Sequence, residues 1–198
     1  MKDRLKKLEI AGVFFVIILS IFLQNLYSIT NRNLVGVMFG SVNHSIWEFT
    51  KTLLLPYFLW SMIELLSLRT PFRRFVVSKT ISLYFLGISY ILITLVTNLL
   101  GLCTNALPEL VAAVACVAMS QYLSLRLIKS DFNIKNLYMP SILLLLLFAA
   151  LFLSFTVFPP EMYIFKDRDT GLYGIIPEYI DKGAIALDVF YFQETARI

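Results

Sequence analysis

The chain has 198 residues, of which 59% are apolar and only 15% charged, and its mean hydropathy is +0.78. A soluble domain carries roughly 25% charge and 45–50% apolar residues, so the composition excludes an ordinary soluble domain and indicates an integral membrane protein. The net charge of +4 does not indicate nucleic-acid binding, because the positive charge is sorted along the chain rather than gathered on one surface.

A helix needs about 20 mostly apolar residues to cross the hydrocarbon core. Five segments meet that length, at about residues 8–27, 46–68, 80–102, 106–128 and 137–158. Lys2, Arg4, Lys6 and Lys7 before the first segment resemble a signal peptide, but the apolar run is too long and no small-residue cleavage site follows. It reads as an uncleaved first span. The second segment holds Lys51, Pro56 and Glu64, the third Asn98, the fourth Glu109 and Arg126, and the fifth is the most uniformly apolar. The sequence thus predicts an all-α bundle of five transmembrane helices over residues 1–158, followed by a polar tail, 159–198, without a further span.

Basic residues collect in short cytoplasmic loops and set orientation. With the N-terminus inside, Lys2, Arg4, Lys6, Lys7, Arg69, Arg73, Arg74, Lys79, Arg126, Lys129 and Lys135 all fall on the inner side. The tail, expected outside, carries Asp167, Asp169, Glu178, Asp181, Asp188 and Glu194. The expected location is a cell membrane, crossed several times, with the lipid bilayer as the first partner. Cys103 and Cys116 read as small packing residues rather than a disulfide framework.

Polar side chains at membrane depth are costly and mark functional sites. The densest group is Asn43, His44, Trp47, Glu48 and Lys51, leading into the second span. On a helix, His44, Glu48 and Lys51 or Thr52 share one face. A structural alternative is a capping box between Ser45 and Glu48, with Trp47 as an interfacial anchor and Lys51 snorkelling to the headgroups. Asn98 and Glu109 are expected at the same outer level, and with the first group they form a candidate binding pocket. Glu64, 16 residues beyond Glu48 and so about 24 Å along a helix, is expected to pair with a base such as Arg69 or Arg126, or to snorkel to the inner side. In the tail, Asp167, Asp169, Thr170 and Tyr173 lie in a turn that is a candidate lid over the pocket. The Asp-x-Asp pair lacks the full calcium-loop pattern, and one histidine excludes a multi-histidine zinc site. No metal or cofactor is expected.

Two stretches resemble signatures of an uncharacterised bacterial family of small multi-span membrane proteins. Val42–Lys51 reads V-N-H-S-I-W-E-F-T-K and Pro159–Gly174 reads P-P-E-M-Y-I-F-K-D-R-D-T-G-L-Y-G. Against that family's pattern, His44 replaces a Glu, Phe49 a His and Arg168 a Pro. The resemblance implies a shared multi-span layout and draws attention to both motifs, but it brings no activity. The expected function is binding or transport of a small polar or lipid-derived ligand at an outer-side pocket. An accessory subunit, or an enzyme acting on a lipid headgroup with Glu48 as base, is the alternative. No catalytic motif is complete, which leans against an enzyme.

Overall fold

A computed structural model describes residues 2–68, 70–101, 106–130 and 133–176. Arg69, Cys103 and the tail from residue 177, with its acids Glu178, Asp181, Asp188 and Glu194, lie outside the described residues. Among the described residues six α-helices follow in chain order: α1 (Lys2–Ile29), α2 (Leu34–Phe39), α3 (Ile46–Ser67), α4 (Phe72–Leu99), α5 (Ala106–Lys129) and α6 (Tyr138–Val157). Short 3₁₀ turns precede α6 and follow it, and an isolated antiparallel bridge joins Lys166 and Tyr173.

Apart from α2, the helices run for 20 to 28 residues, about 30–42 Å at 1.5 Å per residue. Among the described residues, α1, α4, α5 and α6 are long and apolar enough to cross a membrane. Helix α3 is long enough, but Glu48, Lys51 and Glu64 lower its apolarity. Side chains are distributed in the reverse of a soluble protein. Phe14, Ile18, Leu66, Leu143 and Leu146 are more than 60% exposed, whereas Glu9, Glu48, Lys51, Glu64 and Lys79 are at most 5% exposed. A lipid environment would suit the first set and could not solvate the second.

Helix α4 begins eight residues before the expected third span. Arg73, Arg74 and Lys79, expected in a cytoplasmic loop, therefore lie on a helix. Each finds a partner that makes the extension tolerable. Arg73 lies over the Tyr138 ring at 5.6 Å, and Arg74 bonds the carbonyl of Leu127 and the hydroxyl of Ser130 where α5 ends.

The chain divides into two compact units. The first comprises residues 1–19 and 53–148. Leu5, Leu68 and Phe75 pack at its core with Leu8, Leu65, Leu125 and Ile128 around them. The second comprises residues 20–52 and 149–198, with Tyr27, Val37, Val42 and Ile175 as a buried cluster. There α1 ends in two left-handed residues, Asn31 (φ 50°) and Arg32 (φ 60°). The Arg32 amide bonds the carbonyl of Tyr27 at 2.8 Å, which closes the helix end and turns the chain into α2. The Asn33 side chain caps α2 by accepting the amide of Gly36 at 3.1 Å.

Candidate functional site

In the second unit the segment before α3 is tied down by its own polar side chains. Asn43 Oδ1 accepts the Ser45 amide at 2.9 Å, and Ser45 Oγ accepts the Glu48 amide at 3.3 Å. Only half of the expected capping box forms. The Glu48 carboxylate reaches past Ser45 to accept the amide of Val42 at 3.0 Å. It also pairs with Lys51 Nζ at 2.7 Å, and that ammonium donates to Thr156 Oγ1 at 2.9 Å. Glu48 and Lys51 are therefore a closed, neutral pair, buried among protein atoms. They do not form the wet face with His44 that helical spacing suggests, because His44 precedes α3 and its side chain is 57% exposed.

The tail turn packs on the same segment. Asn43 Nδ2 donates to the carbonyl of Gly174 at 2.8 Å, and the His44 amide donates to Asp167 Oδ1 at 2.7 Å. Trp47 meets Phe155 and Phe165 with ring centroids at 5.3 and 5.5 Å, which makes it a packing residue of an aromatic cluster. Asp167 Oδ2 takes both the amide and the hydroxyl of Thr170 at 2.8 Å. Gly171 follows with φ 72°, a left-handed position that glycine adopts freely. Burial alone would raise the Asp167 pKa, but the Thr170 amide and hydroxyl and the His44 amide favour the anion and hold it below the ordinary 3.8.

His44 Nδ1 meets Asp169 at 2.5 Å, and His44, Asp167 and Asp169 offer ligand atoms within 4.8 Å of one another. Those three could hold a cation. The hydrogen bonds from Thr170 and His44 nevertheless account for the Asp167 geometry by themselves.

A cavity of about 350 Å³ opens in this unit. Gln24, Asn25 and Ser28 of α1 and Arg32 beyond it line one part, and Asn43 and His44 line another. Tyr27, also in the lining, is 4% exposed, and its hydroxyl has no hydrogen-bond partner among the described residues. Of the expected site residues, Asn43 and His44 reach this cavity, whereas Trp47, Glu48 and Lys51 are not in its lining. Asp167, Asp169 and Thr170 join His44 as above, and Tyr173 supplies the bridge to Lys166. Asn98 and Glu109 belong to the first unit, in the last turn of α4 and the first turn of α5, both half-buried.

The first unit holds a second buried charge cluster. Lys79 Nζ contacts Glu9 Oε2 at 3.0 Å, Gln121 Oε1 at 3.1 Å and Glu64 Oε2. Ser124 donates to Glu9 Oε1 at 2.8 Å and Trp60 Nε1 to Glu64 Oε1 at 3.0 Å. The Lys79 ammonium lies 5.5 Å from the Tyr57 ring centroid. Glu64 thus pairs with Lys79, whereas Arg126 bonds the Tyr122 hydroxyl and Arg69 lies outside the described residues. Glu9 and Lys79 escaped the sequence reading because each lies near the end of its apolar run, where a charge passes for an interfacial residue. The signal that could have found them is Glu9 and Lys79 lying on α1 and α4 as Glu64 does on α3, each at the end of an apolar run.

No curated protein and no solved structure matches the chain. A family model does, over residues 1–175, a range that contains both motifs. The chain belongs to the family of unknown function DUF6512.

Proposed function

We propose that the protein is a multi-pass membrane protein that binds a small polar or lipid-derived ligand in the cavity between the end of α1 and the segment leading into α3. The observation that carries this reading is the cavity of about 350 Å³ with the buried, unpartnered Tyr27 hydroxyl in its wall. A buried hydroxyl without a partner costs about 1–3 kcal/mol, and a ligand oxygen or nitrogen would remove that cost. Arg32, held at positive φ, adds a charge suited to a phosphate or carboxylate. Locally strained backbone is common at binding sites.

In this reading α3 also spans, making five spans in all, the N-terminus is inside, and the α1 end, α2 and the tail turn face outward. Asp167, Asp169, Thr170 and Tyr173 form a lid fastened to His44 and Asn43, while Glu48, Lys51 and Trp47 hold the segment in shape. What speaks against Glu48 as the base of a lipid-headgroup enzyme is its engagement with Lys51 and Val42 away from the cavity wall.

Thermal unfolding of the detergent-purified protein with glycerophosphate, phosphoethanolamine and phosphocholine tests the site, since a ligand that binds the native state raises its stability. At least one of these headgroup fragments is expected to raise the Tm of the wild type and to act weakly on Arg32→Gln and Tyr27→Phe. Equal responses from all three proteins would sink the proposed site. Labelling of Thr170→Cys from outside intact cells tests the orientation, and protection there with labelling from inside reverses it.

A further inference from the structure

The cluster in the first unit contains two carboxylates and one ammonium. Lys79 uses its three hydrogens on Glu9, Gln121 and Glu64, so it is fully engaged as a cation. Glu9 and Glu64 are 3% and 0% exposed. Among the described residues no other cation contacts either carboxylate. The remaining neighbours are neutral: Ser124 and Gln121 from α5, Trp60 and Tyr57 from α3, and Phe75 beside Lys79 on α4. With every group ionised the cluster carries one net negative charge inside helices whose outer faces are apolar. An uncompensated charge in such a place costs several kcal/mol.

Two further features lie next to the cluster. A cavity of about 50 Å³ adjoins it, lined by Lys79, Tyr57, Ser61 and Thr80 among apolar side chains. That exceeds the roughly 10–15 Å³ that a water needs. The Tyr57 hydroxyl, on a residue of that lining, and Gln121 Nε2, beside Lys79, are buried at 0% and 2% exposure and make no hydrogen bond among the described residues.

We propose that Glu9, Glu64 and Lys79 form an intramembrane proton-binding site that takes up and releases one proton on the carboxylate pair, through the cavity beside Lys79. On uptake, a hydronium in the cavity gives its proton to a carboxylate oxygen, forming one O–H bond and leaving water. The cluster then holds a neutral acid beside a Glu–Lys ion pair, with no net charge. On release the proton returns to water, and Lys79 is shared between two anions. Gly12 permits the arrangement, because a Cβ there would collide with both Gln121 Nε2 and Trp60 Nε1.

The test is infrared spectroscopy of the full chain in an ester-free detergent, read in the carbonyl band of protonated carboxylic acids. Near neutral pH exposed carboxyls are ionised, so the wild type is expected to show a band equivalent to one acid per chain, which shifts in heavy water and disappears in alkali. Charge balance makes a sharper demand. Glu9→Gln and Glu64→Gln are each expected to abolish the band, because either leaves a neutral Glu–Lys pair, and Lys79→Gln is expected to double it. A wild type without the band, a band that does not exchange in heavy water, or a band removed by only one of the two Gln variants would overturn the proposal. Should a Gln variant fail to fold, the exchange and alkaline titration of the wild-type band decide it.

Discussion

The two buried charge clusters are made of the same residue types and differ by one carboxylate. In the second unit Glu48 meets Lys51 three residues away on one helix, Thr156 and the Val42 amide complete the set, and the sum is neutral. In the first, Lys79 serves Glu9 and Glu64 from three helices, and the sum is negative. A neutral set has nothing to gain from a proton or a ligand and reads as architecture. An odd charge is balanced only by something that arrives from outside, and that is why the cluster with fewer sequence cues is the better candidate for chemistry.

Parallel substitutions can break this comparison. Glu48→Gln leaves the buried Lys51 ammonium uncompensated, which costs about 3–5 kcal/mol and is expected as a large fall in Tm. Glu64→Gln leaves Glu9 and Lys79 as a neutral pair, so its cost is expected to resemble one altered hydrogen bond, about 0.5–1.5 kcal/mol. Equal losses in the two variants would mean that the extra carboxylate is not an unbalanced charge.

A steric change sharpens the same contrast. Gly12→Leu is expected to destabilise by about 1–3 kcal/mol, the usual range for overpacking, by forcing Gln121 and Trp60 apart. It should also perturb the infrared band of the Glu9–Glu64 pair. Unchanged Tm and band in the Gly12→Leu protein would show that the close approach at Gly12 does not hold the cluster together.

The smallest effect is expected outside the helices, where Asp167 is held chiefly by the amide and hydroxyl of Thr170 and the amide of His44. Its native pKa lies below the ordinary 3.8, so the unfolded state binds the proton first as the pH falls. Its contribution to stability is complete above that ordinary value and is lost as the pH falls toward the native one. Asp167→Asn should lower Tm at neutral pH and remove this part of the acid-induced loss. An acid limb identical in wild type and variant would deny Asp167 that role.

How much of this was legible depended on the kind of signal. Helices α3, α5 and α6 fall within one or two residues of the expected spans, because long apolar runs bounded by charge leave little freedom. Helix α4 starts earlier, since Arg73, Arg74 and Lys79 have partners on other segments that local composition does not reveal. The Asn43–Lys51 motif was legible as dense polarity, but its division of labour was not. Helical spacing places His44 with Glu48 and Lys51, while the hydrogen bonds of Asn43 and Ser45 start α3 only at Ile46 and leave His44 outside it.

By itself the sequence determined the class of the protein, a set of helices apolar enough for a membrane, and where its few charges had to be explained, because both follow from composition and spacing along one chain. The tertiary structure decided which charges meet. Lys79 reaches Glu9 across 70 residues and Asn43 reaches Gly174 across 131. Partners that far apart are chosen by how the helices pack, and no local pattern encodes the difference between a neutral pair and a pair with one carboxylate to spare.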